Sequence, residues 1–459
     1  MNHKKLLITI FMKKIQFNRC LLVGMTALSI LASTSSCKFE EDDYFSESAS
    51  LRVEHAIDSV QTILASAPNG WVMQYFCGTG VAQFEGFNLF ANFDKNGKVT
   101  LASNHRYLRG GNAGKYTEAT SLYSLLLEDG PVLAFNTWND VLTPFVDPVS
   151  YASAPNNLVK DGEGMQGDHN FVIMSFNDDE VILRGERHGA EVRLTKCPSS
   201  WTDYMADTDK MKNYITNTSI SSYYVTNETD TLYFTGLRNG RFRYCENLTN
   251  PVKLDSLACV FTPKGFRTEH SDTIGTTPFH EFTLSADSAC LVSEDGSVKV
   301  EATWDEYIVN HTAVWNMDQE LFSAEQKELY DRINTEVKKF NSAWSLASIG
   351  VGKSSGANAV MGLVMTFYIN AAKTRTNTAG LALTIRRTQY GEMQIVASED
   401  DKTDKNLDTI VSKAKELIDI VRSFAATLNG VYSITPDNYF LPKGAHFHAV
   451  SGGCDFVLK

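Results

Sequence analysis

Cys37 is the residue whose surroundings dictate the most definite chemistry. It ends the run Ala32-Ser33-Thr34-Ser35-Ser36-Cys37. Small side chains ahead of a thiol are what a lipoprotein signal peptidase requires, because its pocket admits nothing larger before the acylated cysteine. The implied chemistry is a thioether between Cys37 Sγ and diacylglycerol, then cleavage that leaves Cys37 as the first residue. Upstream stand the basic pairs Lys4-Lys5 and Lys13-Lys14 and an apolar stretch over residues 20–31, of signal-peptide length and too short to span a bilayer. Residues 1–36 therefore read as an export signal starting at Met1 or Met12, and the lipid, at ~0.8 kcal/mol per buried CH₂, is the anchor.

Other patterns carry weaker chemistry. Ala347-x-x-x-x-Gly352-Lys353-Ser354 satisfies a relaxed phosphate-loop pattern, yet the chain continues into an apolar run of strand character where a helix would be needed. Gly162-x-Gly164-x-x-Gly167 has the letters of a dinucleotide fingerprint, but Pro155-Asn156-Asn157 precedes it and strand-like residues 171–176 follow, so it reads as a loop. Around it Asp161, Glu163 and Asp168 gather three carboxylates, a calcium site or a tight turn with solvated acids. His446 and His448 flank Phe447 in a strand, whose period of two puts both rings on one face; a metal could use that geometry, though no third ligand is nominated. Trp138, Trp201, Trp304 and Trp315 are the rings available for stacking on a sugar, with core packing as the alternative fate. The 54 Asp and Glu residues make chance carboxylate pairs too common to mark a glycosidic site. No catalytic, cofactor-binding or metal-ligating residue is assigned, no cofactor is expected, and Cys37 stands as the lipidation site.

Composition narrows the class. The 459 residues are 43% hydrophobic and 21% charged, a folded composition with room for two or three domains, since single cores stop growing near ~250 residues. The net charge of −12 includes five basic residues and no acid within the first 37, so the remainder carries −17. Such a surface repels phosphate backbones, and nucleic acid is not expected as a partner. Of eight cysteines, Cys20 leaves with the signal and Cys37 takes lipid. Cys77, Cys197, Cys245, Cys259, Cys290 and Cys454 remain, with neither CxxC nor zinc-type spacing, as three disulfides or as buried thiols. The longest later apolar stretch, residues 359–372, is too short for a transmembrane helix.

The elements that position these residues follow from periodicity. Residues 37–46 form an acidic tether. Val53, Ile57, Val60 and Leu64 recur at helical spacing until Pro68-Asn69-Gly70, and the strand Trp71-Val72-Met73-Gln74-Tyr75-Phe76 follows. A second helix, opened by the capping box Ser323-x-x-Gln326, carries Leu329, Ile333, Val337 and Phe340 into Trp344-Ser345-Leu346. A third carries Leu407, Ile410, Ala414, Leu417, Val421 and Leu428 into Gly430-Val431-Tyr432. Hairpins turn at Asp94-Lys95-Asn96-Gly97 and Asn177-Asp178-Asp179. The expectation is an α+β protein, predominantly antiparallel sheet with a few amphipathic helices in helix-to-strand units. Its expected parts are an N-terminal α+β domain over 47–200, a β-rich middle region over 201–314 and a C-terminal α+β domain over 315–459.

Several features resemble those of Bacteroidota surface lipoproteins. Thr34 departs from the Leu common in enterobacterial signals and is similar to a looser Bacteroidota pattern, and Lys38-Phe39-Glu40-Glu41-Asp42-Asp43 resembles an acidic surface-export signal. Asp-Ser or Asp-Thr followed by an apolar residue, as at Asp230-Thr231-Leu232 and Asp272-Thr273-Ile274, is similar to an O-glycosylation acceptor of exported proteins from that group. The tether, the helix into Gly70-Trp71, Phe93-Asp94-x-x-Gly97-x-Val99 and the segment from Gly162 to Phe171 together resemble an uncharacterised domain-of-unknown-function family of such lipoproteins, over roughly residues 37–250. The resemblance implies an outer-membrane protein facing the cell exterior beside a nutrient importer, and transfers no catalytic residue. The resulting expectation is a non-catalytic accessory protein capturing a nutrient, glycan or peptide. The alternatives are a structural or adhesive surface module, and a hydrolase whose site only the fold assembles.

Overall fold

The computed structural model describes residues 49–79, 82–128, 130–147, 164–216, 219–245, 256–397 and 402–459. The export signal, the tether, Cys37, Asp161 and Glu163 lie outside them. Strand β1 (Trp71–Phe76) shows how the first barrel forms: Trp71, Met73 and Tyr75 enter one core, while Val72 and Phe76 enter two others on the opposite face. Such a strand, buried on both faces, reads as a continuous apolar run. Seven more strands follow as an antiparallel meander: β2 (Phe87–Phe93), β3 (Lys98–Ser103), β4 (Thr117–Leu127), β5 (Pro131–Phe135), β6 (Asn170–Phe176), β7 (Glu180–Gly185) and β8 (Glu191–Lys196). Pairing of β8 with β1, in register Trp71↔Lys196 and Tyr75↔Val192, closes the barrel. Eight strands enclose a space that side chains can fill, and Leu89, Leu101, Leu133, Phe171, Leu183 and Leu194 fill it.

A second closed barrel runs through β9 (Ser222–Thr226), β10 (Thr231–Thr235), β11 (Arg241–Cys245), β12 (Ser256–Thr262), β13 (Gly265–Ile274), β14 (Thr277–Leu284), β15 (Leu291–Ser293) and β16 (Lys299–Ala302), with β16 returning to β9 at Val300↔Val225. Its interior is aromatic, with Phe234 stacked on Phe242 at 4.4 Å and Phe266 tilted against Phe282 at 5.0 Å. The third sheet, β17 (Trp315–Asn316), β18 (Ser345–Lys353), β19 (Met361–Tyr368), β20 (Thr376–Gln389), β21 (Glu392–Ala397), β22 (Gly430–Pro436), β23 (Ala445–Gly452) and β24 (Phe456–Leu458), keeps the same consecutive order. Its ends also meet: Asn316 and Lys459 exchange N–H···O bonds of 2.9 Å, and Met317 bridges Leu458. The described residues are thus predominantly antiparallel β, in barrel-like arrangements, with helices between and beside the strands.

Those helices are α1 (Ala49–Leu64), α2 (Thr143–Val146), α3 (Trp201–Ile215), α4 (Trp304–Asn310), α5 (Ala324–Phe340), α6 (Lys405–Val411) and α7 (Leu417–Ala426). None is long and apolar enough to cross a membrane, among the described residues. The capping box at Ser323 and Gln326 is formed in both directions. The single helix expected over 407–428 is instead two: Ser412 Oγ donates to Thr409 O and Lys413 N to Ile410 O, a tightened turn that ends α6 before α7 begins.

Gly70 joins α1 to β1 with φ +68°, and a Cβ there would lie 2.6 Å from Ala91 O and 3.0 Å from the Trp201 ring. Gly70→Ala therefore meets both left-handed backbone strain and a clash, and should cost about 1–3 kcal/mol. Urea denaturation is the check, with an unchanged midpoint as the contrary result.

Candidate functional site

The barrel interiors are packed, so space for a ligand lies outside them, and one such recess is at the contact of the first two barrels. Gly86 N donates to Cys259 O at 3.0 Å and Asn88 Nδ2 to Phe261 O at 2.8 Å, which docks the start of β2 on β12. Two glycines permit the approach. A Cβ on Gly86 would fall 2.4 Å from the Phe76 ring and 2.8 Å from Val260 Cβ, and one on Gly240 would fall 2.7 Å from Glu85 Cβ. Phe76, Ala82, Ala258 and Val260 form an apolar seam, and Arg193 spans the two barrels by pairing with Glu180 and, at 3.0 Å, with Glu281.

Beside this seam a cleft of about 310 Å³ opens between barrel 1, barrel 2 and α3, within the size range of small-molecule sites. Met205, Thr208, Asp209 and Lys212, at positions i, i+3, i+4 and i+7, present one face of α3 to it. α3 is held by Ser200, which accepts from Asp203 N, and by Trp201 and Tyr204 packed on Phe90. The opposite wall carries Glu85, Asn88, Ser103, Asn104, His105 and Arg106, with Phe261 from β12.

Most polar groups here are already engaged. Glu85 pairs with Arg106 at 2.9 Å. Ser103 Oγ donates to Asn88 O, and Thr208 Oγ1 to Tyr204 O. His105 Nδ1 accepts from Tyr107 N at 3.2 Å, which leaves Nε2 to donate to Val141 O at 2.8 Å. Burial lowers the His105 pKa to about 4, against a smaller opposing effect of that carbonyl. The ring is thus neutral near pH 7 and serves as a wall. Burial pushes the Cys259 thiol well up, so it stays protonated and weakly nucleophilic. Asn88 Oδ1 is shielded from solvent and has no hydrogen-bond donor. Lys212 Nζ lies 5.0 Å from the centre of the Phe261 ring with no carboxylate in ion-pair contact among the described residues. Among these groups none is paired as nucleophile and base.

The residues singled out by sequence lie elsewhere. Asp168 is buried, and its carboxylate accepts from the amides of Arg187, His188 and Ala190 at 2.9–3.2 Å, organising the turn between β7 and β8. That replaces the calcium reading for Asp168 and explains Gly185, where a Cβ would meet the carboxylate at 1.9 Å. Lys353 ends β18 and no helix follows; Ser354 exchanges hydrogen bonds with the Val360 backbone, so the phosphate-loop context is missing. The letters Gly352-Lys353-Ser354-Ser355-Gly356 also spell a hydrolase nucleophile elbow, which needs an exposed serine on a strand-to-helix turn; Ser354 is 4% exposed. His446 and His448 do share a face, with rings 5.7 Å apart. No group of three or more His, Cys, Asp or Glu able to hold a metal occurs among the described residues. Trp304 and Trp315 are buried and Trp201 is stacked on Phe90, leaving Trp138 exposed at 58%. Cys77, Cys197, Cys259, Cys290 and Cys454 are free thiols, so the disulfide alternative fails for these five.

Fold and cleft define a protein of antiparallel barrels with a ligand-sized recess at a barrel junction. The chain belongs to the family described as a domain of unknown function (DUF4302), whose model matches residues 41–286. That span contains every residue lining the cleft, and agrees with the uncharacterised family expected from sequence. An uncharacterized protein from Bacteroides eggerthii DSM 20697 is 18% identical over 28% of this chain and 96% of its own, with a TM-score of 0.17, too low to carry a structural argument. No curated protein matches the chain.

His105 gives the site a pH signature. Its folded pKa lies below the ordinary value of 6.5, so the unfolded chain takes up the proton first as pH falls. Stability is full above 6.5 and declines towards pH 4, by on the order of 2–3 kcal/mol. Denaturation at pH 7 and 4.5 should show a smaller loss for His105→Gln than for the parent; equal losses would contradict the assignment.

Proposed function

We propose that this chain is a lipoprotein of the outer membrane, anchored through Cys37 and facing the cell exterior, that captures a nutrient, glycan or peptide beside an importer without chemically altering it. The observation that carries the capturing role is the cleft lined by Asn88, Arg106, Asp209, Lys212 and Phe261. It combines an aromatic ring, an ammonium without an ion-pair partner among the described residues and a size suited to one small polar molecule. The engagement of Ser103, Thr208, His105 and Cys259 with their own surroundings supports binding over catalysis. The reading also takes a helix running into a strand as a reused unit, since α1 precedes β1, α5 precedes β18 and α7 precedes β22.

Two experiments test it. Cys37→Ala should abolish incorporation of labelled palmitate and release the protein from the membrane fraction, and retention of both would refute the anchor. Asp209→Trp, a bulky ring at an exposed position of α3 on the cleft, should weaken binding at least ten-fold in calorimetry with monosaccharides, amino acids and short peptides, at unchanged stability. Capture is refuted if the unsubstituted protein binds none of them.

A further inference from the structure

One ammonium lining the cleft has no ion-pair partner among the described residues, and its chemistry specifies a ligand. Arg106 pairs with Glu85 at 2.9 Å, and His105 is neutral near pH 7. Lys212 is the cation of the cleft without a carboxylate partner among the described residues. It stands on the cleft face of α3 with its ammonium over the Phe261 ring, and a ring face offers an ammonium no hydrogen-bond acceptor in its plane. Its three N–H donors meet no protein carboxylate among the described residues, unlike Lys210 of the same helix, which pairs with Asp207 at 2.9 Å. Asp209, one turn before Lys212, is exposed to water instead.

Resting on the capture reading above, we propose that the cleft selects a small ligand bearing a carboxylate. The carboxylate takes the Lys212 ammonium. At about 310 Å³ the cleft suits one unit, not an oligomer. A carboxylate with neighbouring donors has two sources, an acidic monosaccharide and an amino acid. In a chain whose remainder after residue 37 carries −17, an anion binds only where a local cation outweighs the general repulsion, and Lys212 supplies it.

Calorimetry on the full-length protein in detergent compares two pairs, glucuronate with glucose and serine with serinamide. The expected result is that the carboxylate member of at least one pair binds ten-fold or more tightly than its counterpart. Lys212→Gln should erase that preference and Lys212→Arg should keep it. The responding pair identifies the source. Equal binding within both pairs, or a preference that survives Lys212→Gln, overturns the carboxylate assignment and leaves capture standing. Absence of binding by all four overturns the assignment, and it overturns capture as well if the wider panel is also silent.

Discussion

The close backbone contact between the start of β2 and strand β12 is the constraint on which the rest of the arrangement depends. Gly86 N reaches Cys259 O at 3.0 Å only because position 86 has no side chain to strike Phe76 and Val260. Asn88 reinforces the contact through Phe261 O. Gly240 does the same beneath Glu85. Close packing without Cβ atoms places two rigid barrels side by side, and α3 lies against the junction. The recess left beside it is a consequence of that packing, with walls on strands and a helix, and such elements position binding groups more accurately than loops do.

Filling of the barrel interiors has a functional consequence. In the second barrel Phe234, Phe242, Phe266 and Phe282 occupy the space that a wider barrel would leave to a ligand. Space for a ligand is thereby left outside the barrel interior. The junction of the second barrel with the third sheet is used for stability: Asp305, fully buried, pairs with Arg387 at 2.6 Å and accepts from Tyr224 at 3.3 Å. That carboxylate and guanidinium satisfy each other. The first junction differs in leaving the Lys212 ammonium without a carboxylate partner among the described residues.

Local features were legible in the sequence because their causes are local. Asp94 Oδ1 accepts from the amides of Asn96 and Lys98, and Asn177 Oδ1 from those of Asp179 and Glu180, so both hairpins follow from residues within a few positions. The capping box at Ser323 is of the same kind. Barrel closure was not legible, since it depends on β8 finding β1 and β16 finding β9, pairings that no short pattern encodes. The cleft was illegible for a related reason: Asn88, Lys212 and Phe261 come from separate segments, and each is an ordinary residue in its own. Asp168 was noticed for its charge, but its role as the acceptor for a distant turn required the fold. Glycines at 86 and 240 were the available signal, and a glycine at the head of a strand marks a turn or a bulge as readily as a close approach.

Amide hydrogen exchange across residues 83–88 tests the docked junction most directly, because the Gly86 amide is protected only if the second barrel covers it. The account predicts that this segment exchanges as slowly as the barrel strands around it and accelerates when Gly86 is replaced by Val. Exchange at the rate of an open loop in the unsubstituted protein would show that the two barrels are not held together at this point, and the cleft would lose one of its walls.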